Sequence, residues 1–387
     1  MEHFKNKDKE YVANTYGRFD LELVSGKGAE LCDIDGKKYI DLGSGIAVNI
    51  FGAADDEWAA AVAKQAATLQ HTSNLYYSEP CVKLAEALCK KSGMKKVFFG
   101  NSGAEANECA IKVARKYYSD RHNGNEGTII CLKNSFHGRT VTTLSATGQD
   151  VFHKDFGAFT PGFKFIDAND CEALKNAVDE TTAAVMFEPI QGEGGVNPLN
   201  NDFVACIKEL SDKYGFLIVV DEVQTGNGRT GKYFAIEHFG IKPDVISTAK
   251  GLGGGLPIGA CLLGERTADV LCPGDHGSTF GGNPVASAGA LTVVNRVDEA
   301  LMKEVTEKSE FIRKTLDGAK GVKSVAGMGL MLGIEIEGDA KQVVAECIKR
   351  GVIVLTAKQK VRLLPPLNIT YEQLEKALTV LKEVIAQ

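Results

Sequence analysis

The sequence predicts an α/β protein, with a large domain around a mostly parallel central sheet and a smaller α+β domain. Three observations carry that expectation. Through the middle of the chain, short continuous apolar runs alternate with helical segments, the pattern of strands covered on both faces by crossover helices. After about residue 284 the alternation gives way to a long helical segment, then strands and further helices. The chain also has 387 residues, too many for one core of ordinary size.

Residues 1–50 read as short strands and turns that join the small domain. Within them AELCDIDGKKYIDLGSGIAV sets a turn at Asp35–Gly36 between two apolar segments. Residues 51–283 form the expected large domain. It opens with the helical stretches DDEWAAAVAKQAATL and SEPCVKLAEALCKK, the second capped by Ser78. The strand KVFFG, the helix AEANECAIKVARKYY and the strand TIICL follow. AAVMFEP, the helix NDFVACIKELSDKYG, FLIVVDE, DVISTA and ACLLG complete the alternation. Residues 284–387 carry a long helical segment, MLGIEI, the helix DAKQVVAECIKRG, VIVLTA, VRLLPPL and a terminal helix. No repeat or long linker interrupts the chain, so its parts are expected to pack together.

Composition narrows the function. Hydrophobic residues make up 44% and charged residues 24%, ordinary for a soluble globular protein. A net charge of -6 argues against non-specific nucleic-acid binding. The ten cysteines are scattered without a CxxC pair, and Cys131 and Cys261 lie inside apolar runs. Such thiols act as small buried hydrophobes in a reducing compartment. The opening MEHFKNKDKEY is polar, and no apolar run approaches a membrane span, so a cytoplasmic protein is expected, with neither membrane nor nucleic acid as partner.

Candidate chemistry sits at the ends of the strand-like runs. Lys250 is the single charge in ISTAKGLGGGLPIGA, and four of the five residues after it are glycine. It is either a loop lysine reaching water or a desolvated amine that forms a Schiff base with a carbonyl; the glycines let backbone or ligand approach closely. A dinucleotide fingerprint in GLGGG is weak, because a proline and a strand follow instead of a helix. Asp221 ends FLIVVDE, where ligands of open α/β sheets bind; it either caps the next turn or faces a cationic ring nitrogen. In FFGNSGAEANECAIK, Ser102, Gly103 and Ala104 open a helix, a place suited to a cap or to an anion. In NSFHGRT, Phe136 suits the core or a flat ring, and Arg139 suits a carboxylate. His137 invites a metal or general-base reading, but no second histidine lies at ligand spacing, and no metal is expected. Lysine, strand-end acid, phosphate site and aromatic together describe a pocket for pyridoxal 5'-phosphate, since that cofactor needs an amine, an anion and N–H donors.

These residues, in this order, resemble the class III (ornithine-type) subgroup of the fold-type I pyridoxal-phosphate aminotransferases. The likeness covers nearly the whole chain through GNSGAEANE, SFHGRT, QGEGGVNP, DEVQTGNGRTG, AKGLGGGLPIGA and STFGGNP. It implies that Lys250 is the Schiff-base lysine and proton shuttle and that Asp221 pairs with the pyridinium nitrogen. Val223 and Gln224, with Glu222 beside them, would lie against the ring, Phe136 on its other face, and Gly103 and Ala104 at the phosphate. The resemblance further implies a homodimer with shared active sites, in which Thr279 reaches the neighbour's phosphate and Ser278 stands beside the substrate. Arg139 would grip a substrate carboxylate. Arg362 would hold the α-carboxylate of 2-oxoglutarate or glutamate, and Glu193 would gate that arginine.

The activity so implied moves an ω-amino group to 2-oxoglutarate, with the δ-amino group of N-acetylornithine, in arginine biosynthesis, as the leading donor. Succinyl-diaminopimelate, succinylornithine, ornithine and 4-aminobutyrate are its neighbours, and an aminomutase, a racemase or a cofactor-sensing regulator stands further off. Two stretches depart from the family pattern. IFGAADDEW replaces a histidine-rich LGHxHP turn after Asn49, and Asn227 replaces an apolar residue. Neither is expected to touch the cofactor residues.

Overall fold

The computed structural model describes residues 3–387. Its centre is a seven-stranded sheet. In spatial order the strands are Lys96–Gly100, Gly259–Leu263, Val245–Thr248, Leu217–Asp221, Thr182–Phe187, Thr128–Leu132 and Phe163–Ile166. Only Gly259–Leu263 runs against its neighbours; the other pairings are parallel, with Val219 opposite Val245 and Met186. Every residue of Thr182–Phe187 and Leu217–Asp221 is buried. That is why these stretches read as unbroken apolar runs: helices cover both faces, and each buried Val, Leu or Ile adds about 1.5–3 kcal/mol.

Helix ends follow local chemistry. Ser102 accepts the amide of Glu105 and starts Gly103–Arg121. Asn200 starts Asn201–Tyr214, which ends on Gly215 at φ 80°, a left-handed position suited to glycine. Thr370 and Gln373 form a reciprocal capping box at 3.1 Å each way before Tyr371–Ile385. Ser78 does precede Glu79–Ser92, but its hydroxyl accepts no capping bond. Pro80 in the first turn has no N–H to offer, and its fixed φ presets the helix.

The N-terminal strands Leu23–Lys27, Glu30–Asp33 and Lys38–Asp41 form an antiparallel meander, turned at Gly36 with φ 85°. Val352–Ile353 joins it in parallel beside Lys38–Asp41. The expected single strand VIVLTA therefore splits, for Leu355–Ala357 pairs instead with Lys360–Leu363 in a second four-stranded sheet. The long C-terminal helical segment is likewise two helices, Pro284–Arg296 and Glu299–Leu316. Asp298 breaks it by accepting the amide of Leu301 at 2.8 Å. No helix among the described residues is long and apolar enough to cross a membrane.

One close approach ties the sheet to the site. A Cβ on Gly259 would lie 2.1 Å from the carbonyl oxygen of Ser102, so the antiparallel strand passes directly under the turn before Gly103–Arg121. Gly259→Ala is expected to destabilise the protein by about 1–3 kcal/mol through overpacking, read as a lower denaturant midpoint; an unchanged midpoint would contradict the contact.

Candidate active site

Five chain segments leave the carboxyl ends of the parallel strands and enclose one cavity of about 440 Å³. Asn101–Ala104, Phe136–Arg139, Glu188 with Glu193, Asp221 with Val223 and Gln224, and Ala249–Lys250 with Gly255–Ile258 line it. Backbone direction alone therefore gathers Lys250, Asp221, Phe136, Arg139, Gly103, Ala104, Val223, Gln224 and Glu193 around one space.

Asp221 is buried, and both oxygens of its carboxylate accept hydrogen bonds. His137 Nδ1 and Asn107 Nδ2 each donate to Oδ2 at 2.8 Å, and the Val223 amide donates to Oδ1 at 3.0 Å. Asn107 Oδ1 in turn accepts the Ser247 hydroxyl at 2.5 Å. Burial alone would lower the His137 pKa, but the hydrogen bond and charge of Asp221, with Glu188 nearby, hold it above the ordinary value. His137 is thus the aspartate's partner. No group of three or more His, Cys, Asp or Glu suited to a metal occurs among the described residues.

Glu188 ends its own strand run and accepts the amides of Phe136 and Gly192 at 3.0 and 3.1 Å, positioning Phe136; burial pushes its carboxyl up to about 7. Sequence reasoning missed Asn107 and Glu188. Glu188 carried the same strand-end signal as Asp221, and Asn107 is a polar residue on a helix face that is otherwise apolar.

Lys250 is half-buried, and its Nζ makes no hydrogen bond or ion pair among the described residues. Desolvation pushes its pKa below the ordinary lysine value against the pull of Glu193, and Arg362 adds to the lowering. The first-turn amides of Gly103 and Ala104 precede any intrahelical bond and border the cavity, which suits them to an anion. A Cβ on Gly103 would meet Val223 at 2.7 Å.

Glu222 departs from expectation, whereas Arg362 and Thr279 lie outside this lining without contradicting theirs. Glu222 is absent from the lining, because successive residues of the extended run point to opposite sides. Its buried carboxyl accepts the Thr225 hydroxyl at 2.5 Å and the Ile236 amide at 2.7 Å, and burial raises it to about 7. Arg362 stands one hydrogen bond behind the lining, donating to Glu193 at 2.6 Å and to Gln224 Oε1 at 3.2 Å. Thr279 is exposed and lines a separate cavity of about 150 Å³, while Ser278 Oγ accepts from Asn101 Nδ2 at 3.2 Å. The glycines after Lys250 chiefly admit protein: added Cβ atoms on Gly251, Gly253 and Gly254 would meet Ile50, Ile258 and Val293 at 2.6, 2.9 and 2.9 Å.

Comparison with known proteins decides the family. The model of the family described as aminotransferase class-III matches residues 11–385. The chain belongs to the class-III aminotransferases. It is 49% identical to acetylornithine aminotransferase of Haemophilus ducreyi, over 100% of this chain and 99% of that one. It is 45% identical to acetylornithine aminotransferase of Methanocaldococcus jannaschii, with the same coverage. Among solved structures, ornithine aminotransferase of Toxoplasma gondii superposes with a TM-score of 0.93 at 34% identity, over 99% of this chain and 94% of that one. N-acetylornithine aminotransferase of Stenotrophomonas maltophilia gives 0.86 at 36% identity, over 98% of each.

Class-III aminotransferases depend on pyridoxal phosphate, and the Toxoplasma crystals hold it at the active site in partial occupancy. The donor set here fits that group: a lysine without a hydrogen-bond or ion-pair partner among the described residues, a buried carboxylate, a helix N-terminus, and Phe136 and Val223 on the walls.

The His137–Asp221 pair gives a pH signature. A raised folded pKa contributes stability that is full below the unfolded value of about 6.5 and is lost as pH rises through the folded value. Urea midpoints of the wild type are expected to fall across that window. In Asp221→Asn the aspartate charge is gone, burial is opposed only by the more distant Glu188 charge, and the slope should flatten or reverse. Equal slopes in the two proteins would refute the pairing.

Proposed function

We propose that this class-III aminotransferase transfers the δ-amino group of N-acetylornithine to 2-oxoglutarate. The observation that carries the donor is Arg139. It makes no ion pair among the described residues, stacks over Phe152 at 4.1 Å and is exposed at the cavity rim. It also borders a second cavity of about 470 Å³ lined by Tyr16, Leu144, Phe152, Phe156 and Phe159. An available guanidinium beside an apolar annex suits a donor with a carboxylate remote from its amine and an uncharged acyl group. The curated relatives of that name, at 42–49% identity, support the same donor.

Each residue then has a task. When bound, pyridoxal phosphate supplies an aldehyde for amine capture and a ring that withdraws electron density. Lys250 Nζ would hold the aldehyde and, as a free amine, would move a proton at the substrate carbon. Asp221 would hold the ring nitrogen, Gly103 and Ala104 the phosphate, and Phe136 and Val223 the ring faces. The Glu193–Arg362 pair neutralises the second arginine while the monocarboxylate end of the donor is bound. A keto acid with two carboxylates draws Arg362 from Glu193. Burial would raise the Glu193 carboxyl, but the Arg362 charge and hydrogen bond hold it below the ordinary range, so the pair persists at neutral pH.

The assembly in this reading is a homodimer in which Thr279 completes the partner's phosphate site. Leu75, Tyr76, Tyr77 and Phe280 are 86%, 70%, 100% and 60% exposed close to Thr279, an apolar patch of the kind a second copy covers. The ten unpaired thiols support a cytoplasmic location.

Lys250→Ala should abolish turnover with circular dichroism unchanged; retained turnover would sink the assignment. Without keto acid, N-acetylornithine should bleach the visible absorbance faster than ornithine or 4-aminobutyrate, and another donor in the lead would rename the substrate. Arg139→Lys should raise KM for N-acetylornithine about tenfold, the cost of about 1.4 kcal/mol when a two-pronged contact becomes a point charge. Co-expressed Lys250→Ala and Thr279→Ala chains should regain activity that neither homodimer has, because the mixed dimer contains one intact site. No complementation would refute shared sites.

A further inference from the structure

The loop carrying Lys250 has almost no side chains of its own, yet Lys250 sits at φ 45°, a left-handed conformation costly for a non-glycine residue. Something outside the loop must hold it there. Two residues do so, one on each side. Asn227, buried and itself at φ 59°, donates through Nδ2 to Thr248 Oγ1 at 3.0 Å and to the Ala249 carbonyl at 3.3 Å, immediately before Lys250. Trp58 donates through its indole N–H to the Gly253 carbonyl at 3.0 Å, three residues after it. The indole also covers the loop backbone, so that an added Cβ on Gly254 would lie 3.0 Å from Trp58 Nε1.

Trp58 is anchored in turn. Its amide donates to Asp55 Oδ1 at 3.0 Å, and Arg296 forks onto both oxygens of Asp55 at 2.6 and 3.0 Å. Arg296 also lies 3.8 Å over the Phe51 ring. Asp55 and Trp58 belong to IFGAADDEW, and Asn227 is the other departure from the family pattern. Both departures, expected to be remote from the cofactor residues, meet the backbone on either side of Lys250.

We propose that Trp58 and Asn227 are positioning residues that brace the Lys250 backbone from opposite sides and hold its amine at the reacting carbon. Neither touches the cavity's reacting atoms; both act through Thr248–Gly253. The proposal rests on the reading that Lys250 carries the chemistry, but one of its readouts does not.

The test compares wild type with Trp58→Phe, which keeps an aromatic ring and deletes the N–H, and with Asn227→Gly, which keeps the left-handed backbone and deletes both donor bonds. In each holoenzyme, kcat should fall about tenfold, the worth of one ordinary hydrogen bond, with KM for amino donor and keto acid within about twofold. Hydrogen exchange of the 251–256 amides should accelerate about tenfold, while exchange in the strand Thr182–Phe187 is unchanged. Normal kcat in both variants, a loss carried by KM, or exchange that rises across the whole protein would each overturn the proposal. If Trp58→Phe does not fold, Asn227→Gly decides alone. Active Lys250→Ala would instead refute the underlying reading and leave the exchange result standing.

Discussion

The site depends on satisfying one carboxylate where water cannot reach it. Burying a carboxylate without partners costs several kcal/mol. Asp221 offsets that cost through three donors, from His137, Asn107 and the Val223 amide. Each comes from a different segment at the carboxyl edge of the sheet, so satisfying Asp221 also fixes those segments relative to one another. The helix whose N-terminus borders the cavity contributes Asn107, the Phe136 loop contributes His137, and Ser247 on the neighbouring strand locks Asn107. One buried carboxylate thereby organises the walls around it.

Much of this was legible in the sequence, for a physical reason. Parallel strands buried on both faces write themselves as apolar runs, and a polar residue that ends such a run stands out. Lys250 and Asp221 were visible on that basis. Asn107 was not, because an asparagine within a helix carries no period of its own and its partners lie 114 and 140 residues away in sequence. Glu222 was placed beside the ring with its neighbours through the family resemblance, whereas alternation along the extended chain turns it to the opposite side. Arg362 could not be found from residue pattern at all and came only through the family resemblance. The split of VIVLTA was equally hidden, since a run of apolar residues gives no sign of changing sheets.

The two arginines are of one type in opposite electrostatic states. Arg362 is 3% exposed and already paired with Glu193, so binding a carboxylate there means exchanging one anion for another at little desolvation cost. Arg139 is exposed and, among the described residues, without an ion pair, so any carboxylate it binds is gained against water alone, with aromatic rings beside it. An enzyme that alternates between a donor with one carboxylate near its distal end and an acceptor with two can use this asymmetry. The first arginine is always available, and the second is released only by a ligand that outcompetes Glu193.

Stiffness at Lys250 has to be imported. Glycine loses more backbone entropy on ordering than any other residue, so a loop rich in it is the least able to hold a lysine at positive φ unaided. Yet larger residues are barred from the loop, because Ile50, Ile258 and Val293 occupy the space their Cβ atoms would need. The same closeness answers the difficulty. A backbone stripped of side chains exposes its carbonyls to hydrogen bonds from neighbouring elements, and Asn227 and Trp58 take up those of Ala249 and Gly253. Precision at the amine thus comes from residues that never meet the substrate, and the glycines matter because they let that support come within bonding distance.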